Sequence, residues 1–194
     1  MVTNIYMIFS NSYRKSSVSY QQMKMAQPSL YTPNRQVVQD PPPVKLKWGK
    51  PIWTFFHVMA QKMRSEHFPL IIGDFMRIIS LICNVLPCPV CSKHAIEYIN
   101  SVNINNIRTK DDLRQFFYVF HNTVNKRKGY PIFSQDAVVS TYENMNTFLV
   151  CKEFMFHFED RQRSTKLITD DFIRRRTVPQ VKMWINANIQ YFDP

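Results

Sequence analysis

An all-α fold is what this chain of 194 residues predicts, and three observations carry the prediction. Apolar residues recur at intervals of three and four along segment after segment, the spacing of one face of a helix. Proline, glycine or a short polar side chain stands at the ends of those segments, where helices start and stop. Only 3 glycines accompany 12 prolines, too few for the positive-φ hairpin turns of an all-β chain. A hydrophobic content of 45% against 20% charged residues supplies one domain's core and excludes wholesale disorder.

Residues 1–43, rich in Ser, Asn, Gln, Tyr and Met, follow neither periodicity and close on Asp40-Pro41-Pro42-Pro43, so they read as a polar tail and stiff linker. The main domain is expected over 44–151. Its first helix opens near Trp48, where Gly49-Lys50-Pro51 puts proline in the first turn, and Trp53, Phe56, His57, Ala60 and Arg64 follow at helical spacing. A second helix runs from Leu70 to Leu86 through Ile71, Phe75, Ile78, Ile79 and Ile82, and stops at Pro87. The third opens at Cys88-Pro89-Val90-Cys91 and continues through Ala95, Ile96, Tyr98 and Ile99. Thr109 and Asp112 have capping-box spacing before the fourth, which carries Leu113, Phe116, Phe117, Phe120 and Val124 to a stop at Gly129-Tyr130-Pro131. A fifth helix is expected from Gln135 to about Cys151, with Val138, Val139, Tyr142, Met145, Phe148 and Leu149 on one side. Residues 152–194 form a C-terminal helical extension that packs on the core or builds an interface. Pro179 is expected to interrupt it, leaving Gln180 to Phe192 amphipathic through Val181, Trp184, Ile185 and Ile189.

Lys and Arg outnumber Asp and Glu by 25 to 14, a net charge of +11 that suits nucleic acid or an acidic partner. The excess is spread over 1–43, 44–151 and 152–194 rather than gathered. The two dense runs, Lys126-Arg127-Lys128 and Arg174-Arg175-Arg176, read first as solvated helix faces, so nucleic-acid binding stands as a rival reading only. Four cysteines are too few for a secreted disulfide scaffold, and residues 1–15 lack the basic-then-apolar order of a signal peptide; an intracellular site is expected. Asp74 and Arg77 break the greasiest stretch, so no membrane span is expected.

The strongest chemical signal is Cys88-x-x-Cys91 at a helix start, where exposed N–H groups and the positive end of the macrodipole stabilise a thiolate. Such a pair suits redox exchange. It also suits zinc, with His94 or His121 completing a tetrahedral set, and it occurs in thioredoxin-like sites, although those need a βαβ context that no further strand pattern supplies here. Trp53 and His57 share one face of the first helix; His121, Val124, Asn125 and Lys128 share one face of the fourth. A buried polar group without a partner costs about 1–3 kcal/mol, so stripes that mix Trp, His and Asn favour a flat heteroaromatic ligand with hydrogen-bonding edges.

Three motifs now stand in order: Trp48-Gly49-Lys50-x-x-Trp53-x-x-x-His57, Leu86-Pro87-Cys88-Pro89-Val90-Cys91-x-x-His94-Ala95, and His121-Asn122-x-Val124-Asn125-Lys126-Arg127. Together they resemble the Erv/Alr family of FAD-linked sulfhydryl oxidases, especially the small members encoded by large cytoplasmic DNA viruses. The resemblance implies a four-helix bundle with a short fifth helix, FAD at the bundle's mouth, no metal, and a homodimer. It implies that Cys91 lies against the flavin while Cys88 meets the substrate thiol. Gly49, Lys50, Trp53 and His57 would line FAD from the first helix, and His121, Asn122, Val124, Asn125 and Lys128 from the fourth. Tyr130 stands where the family often has lysine, which moves phosphate neutralisation to Lys126 or Lys128. The implied partners are a protein dithiol, met directly or as a thioredoxin-like carrier, and dioxygen, which leaves as hydrogen peroxide. The implied location is the cytoplasm of an infected cell and the virion made there. Cys83 is expected to be a buried small apolar residue; Cys151 is expected either free or bridged to another chain, and no second closely spaced pair exists to act as a shuttle.

Overall fold

The computed structural model describes residues 48–159 and 168–194, so the expected tail over 1–43 lies outside the described residues. Among those described are seven α-helices and no strand: α1 (Gly49–Lys62), α2 (Phe68–Asn84), α3 (Pro89–Ser101), α4 (Lys110–Lys128), α5 (Gln135–Tyr142), α6 (Thr147–Glu159) and α7 (Ile168–Asn188). None of the described helices is long and apolar enough to cross a membrane.

Helix α1 is the axis of the fold. Every residue from Thr54 to Ala60 is buried, and a helix with no solvent face must be surrounded. On one side Phe56 meets Phe117 of α4 at 5.2 Å between ring centroids. On another, Phe55 stacks on Phe154 of α6 at 4.1 Å. The stripe read from α2 is buried as expected, at Ile71, Phe75, Ile78, Ile79 and Ile82. Phe75 reaches Trp184 of α7 at 5.5 Å, so Trp184 is a core residue.

Helix α4 starts and stops on the signals present in its sequence. The Thr109 hydroxyl accepts from the Asp112 N–H, and the Asp112 carboxylate accepts from the Thr109 N–H at 2.9 Å, which closes a capping box. Gly129 ends the helix in the left-handed region at φ 68, where a β-carbon is strained.

Two expectations need correction. The single helix expected from Gln135 to Cys151 is two, α5 and α6, separated at residues 143–146. The Asn146 side chain accepts from the Leu149 N–H at 3.0 Å and so caps a new helix. Pro179 does not interrupt α7, which runs through it. Proline inside a helix costs about 3 kcal/mol, and the burial of Thr177, Val181, Trp184 and Ile185 around it offsets that cost.

The expected boundary at 151 falls within α6, and the helices on both sides of it share one core. The chain's end is fastened to the end of α1: the Asp193 N–H donates to the Lys62 carbonyl at 2.7 Å, and Arg64 pairs with the Asp193 carboxylate at 3.1 Å.

Candidate active site

The turn between α2 and α3 presents the two cysteines. Pro87 stands three residues past the end of α2, Cys88 takes an extended conformation as N-cap, and Pro89 fills the first position of α3. The Cys88 sulfur accepts from the Cys91 N–H at 3.2 Å. Ser92, one residue on, donates its hydroxyl to the Cys83 carbonyl at 2.7 Å and ties the start of α3 to the end of α2. Both cysteines are half-buried, while Val90 between them is 62% exposed. The pair therefore borders a surface that another protein can reach.

The thiols are not equivalent, and the expectation of a thiolate stabilised by the helix start needs refining. The free N–H at that start points to Cys88. The Cys91 thiol is pushed up to about 11, first by burial and then by its hydrogen bond with Cys88, while Lys128 and Arg127 at the end of α4 pull it back. Two members of the basic run thus act on Cys91. Cys83 and Cys151 are buried thiols held well above the usual range by desolvation, and the Cys151 sulfur lies 3.8 Å from that of Met59. Burial removes Cys151 from reach of another chain.

The aromatic and polar stripes of α1 and α4 meet. Trp53, half-buried, stacks on His121 at 4.1 Å and 8° between planes. The His121 Nδ1 and the His57 Nε2 share a hydrogen bond of 2.9 Å. Tyr142 of α5 stacks on the other side of His57 at 4.6 Å and 9°. Sequence reasoning placed Tyr142 on the apolar side of the expected fifth helix but missed this contact. Beside these rings a cleft of about 270 Å³ opens between α1, α4 and α5, with His57, Tyr142, Tyr118, Arg114 and Gln115 among its walls.

Asn122 is half-buried and engaged at both ends of its amide: it donates to the Phe133 carbonyl and accepts from the Phe133 N–H, each at 3.0 Å. It straps the segment after α4 back onto that helix. Asn125, buried, donates to the Pro131 carbonyl at 3.2 Å. Val124 is half-buried and Lys128 exposed, one and two turns beyond His121 along α4. On α1, Lys50 is exposed, and a β-carbon at Gly49 would meet nothing within 4 Å, so internal packing does not demand glycine there.

The chemistry of these groups fits a flat heteroaromatic group bearing phosphates. Trp53 and His121 are flat, uncharged rings, His121 because burial holds it down at about 4. Lys50, Lys126 and Lys128 stand exposed as cations. A metal fits less well. Among the described residues no three His, Cys, Asp or Glu side chains converge for an ion, and His121, a ligand in the zinc alternative, is engaged with His57 and Trp53.

Comparison with known sequences agrees with this picture. A sequence model described as the Erv1 / Alr family matches residues 50–144. A protein of Invertebrate iridescent virus 6 named for FAD-linked sulfhydryl oxidase activity is 30% identical over 96 residues, which cover 46% of this chain and 86% of that one. The FAD-linked sulfhydryl oxidase of African swine fever virus is 29% identical over 108 residues, 50% of this chain and 82% of its own. That of Arabidopsis thaliana is 26% identical over 97 residues, half of each chain. No solved structure matches significantly.

Proposed function

This chain belongs to the Erv1/Alr family, and from that premise we propose that it is an FAD-dependent thiol oxidase that forms disulfide bonds in protein substrates through Cys88 and Cys91. The observation that carries the roles of the two cysteines is the asymmetry of the pair. Cys88 receives the N–H at the opening of α3, and Cys91 lies a turn inside, under the influence of Lys128 and Arg127.

That asymmetry suits a two-step exchange. A substrate thiolate attacks the Cys88 sulfur of the oxidised pair, a substrate–Cys88 disulfide forms, and Cys91 departs as a thiolate that Lys128 and Arg127 stabilise. The second substrate thiolate attacks its neighbour's sulfur in that mixed disulfide, and Cys88 departs with its charge received by the Cys91 N–H. The substrate leaves as a disulfide, and two electrons remain on the Cys88–Cys91 dithiol. FAD held by Trp53, His57 and His121 would supply the two-electron chemistry that links this dithiol to dioxygen, with hydrogen peroxide as product and the Cys88–Cys91 disulfide restored.

In this reading Trp53, His57, His121, Val124, Asn125 and Gly49 hold the ring systems, with Lys50, Lys126 and Lys128 toward the phosphates. Asn122 acts by holding the strap that flanks them. Protein thiols and dioxygen are the partners. Protein substrates dock directly at Cys88, a thioredoxin-like carrier among them, and the enzyme acts as a homodimer. Its site of action is the cytoplasm of an infected cell and the virion assembled there, a reading supported by the viral relatives.

The test is a visible spectrum and an oxygen electrode. Purified protein is expected to be yellow and to consume oxygen with dithiothreitol, and Cys88→Ser and Cys91→Ser variants to keep the colour and lose the oxygen uptake. A colourless preparation, or uptake that survives both substitutions, overturns the reading.

A further inference from the structure

Helix α2 ends at Asn84, and only Val85-Leu86-Pro87 carries the chain to Cys88. The last carbonyls of a helix lack intrahelical donors, and Val85 and Leu86 are buried, which keeps water from replacing them. Among the described residues, the side chains of Ser92 and Arg174 serve this end. Ser92 takes the Cys83 carbonyl from the α3 side. Arg174 of α7 takes the Val85 carbonyl, through Nη1 at 3.0 Å.

The same guanidinium does more. Its Nη2 donates to the carbonyl of Phe158, one residue from the end of α6, and its Cζ lies over the Phe158 ring, 5.0 Å from the centroid. One cation therefore joins the C-terminal ends of two helices, where the macrodipoles are negative. A planar fork with two amino groups can donate in two fixed directions; a lysine ammonium is a point donor and cannot reproduce the arrangement.

We propose that Arg174 is a positioning residue for the Cys88–Cys91 pair. By fixing the Val85 carbonyl it fixes the short, proline-containing approach to Cys88, and with it the seat of the Cys88 sulfur against the Cys91 N–H. Arg174 lies thirty residues beyond the last position matched by the family model, so a segment outside the shared domain sets the geometry of the shared chemistry. The arginine run reads in sequence as a solvated helix face; Arg174 is its half-buried member, and Arg175 and Arg176 are the exposed ones. The importance of this contact for turnover rests on the thiol-oxidase reading, but its test does not.

The experiment uses the full chain with Arg174→Lys and Arg174→Met. Lys182→Gln is the control, because it cuts the 2.9 Å ion pair of Lys182 with Glu159 between the same two helices without touching Val85. The dithiol–disulfide equilibrium of Cys88–Cys91 is measured against glutathione by peptide-resolved mass spectrometry. Helicity is followed in parallel by circular dichroism. Both Arg174 variants are expected to stay helical and to shift the equilibrium toward the dithiol about tenfold, because a looser approach lowers the effective concentration of one sulfur at the other. Lys182→Gln is expected to match the wild type. An equilibrium within about twofold of wild type in both Arg174 variants, well under the tenfold change expected of a lost geometric constraint, would overturn the assignment. An equal shift in Lys182→Gln would also overturn it, by showing that general docking of α7 is what matters. Should Arg174→Met fail to fold, Arg174→Lys decides. Absence of thiol-dependent oxygen uptake in the wild type would defeat the functional reading while leaving the glutathione equilibrium free to judge Arg174.

Discussion

His57 and His121 share a hydrogen bond of 2.9 Å in the buried centre of the molecule, and neither ring is charged at neutral pH. Burial drives His57 down to about 3, with the neighbouring His121 adding to the fall, and burial alone drives His121 to about 4. One ring must donate and the other accept, so the pair is stable only while at least one nitrogen between them is bare. Trp53 stacks on His121 and Tyr142 on His57, each covering one face of its ring.

Stability should therefore fall on acidification. Below pH 6.5 the unfolded chain takes up protons at both histidines, whereas the folded chain resists until about pH 4 and then 3. Unfolding binds protons in that window, so the contribution is full above pH 6.5 and is lost progressively as pH falls. Thermal unfolding should give a Tm that declines from pH 7 to pH 4.5, with a shallower decline in a His57→Phe, His121→Phe double variant. Parallel declines would show that other groups govern the acid sensitivity.

The compensating charge on Cys91 predicts a pH-dependent rate. Lys128 outweighs Arg127 in drawing the Cys91 thiol down from its desolvated value. Lys128→Met should slow dithiothreitol oxidation at neutral pH about tenfold for each unit by which that thiol rises, and the loss should narrow at higher pH. Arg127→Met should do the same more weakly. A rate deficit that stays constant with pH would refute a charge effect.

Asn122→Ala removes both hydrogen bonds to Phe133. Leaving those backbone groups without partners should cost about 1–3 kcal/mol. Because the strap leads into α5, Tyr142 should also lose its fixed place on His57. The expected result is a lower Tm together with faster loss of flavin on dilution, whereas an unchanged dissociation rate would separate the strap from the site.

Phe154 lies beyond the segment matched by the family model, yet it is fully buried and stacked on Phe55. Phe154→Ala should therefore destabilise the protein by about 3–5 kcal/mol, the range for emptying a packed aromatic site. Urea unfolding measures this directly, and a cost below about 1 kcal/mol, that of a surface change, would mean that α6 is dispensable.

Helix ends and helix faces were legible in the chain because their signals act over three or four residues. Thr109 with Asp112, Gly129 after Lys128, Pro87 ahead of Cys88, and the apolar stripes of α2 and α4 are all such signals. Asn146 was another, and its capping role explains a break that apolar periodicity had run across. The three motifs likewise identified the family, since each is a local string. Tyr142 on His57, the meeting of His57 with His121 across 64 positions, and the reach of Arg174 to Val85 across 89 were not legible. Nor was the high proton affinity of Cys91, or the survival of α7 through Pro179. Desolvation, ring stacking and the filling of orphan carbonyls depend on which surfaces packing brings together, and no spacing of residues along a chain encodes that by proximity.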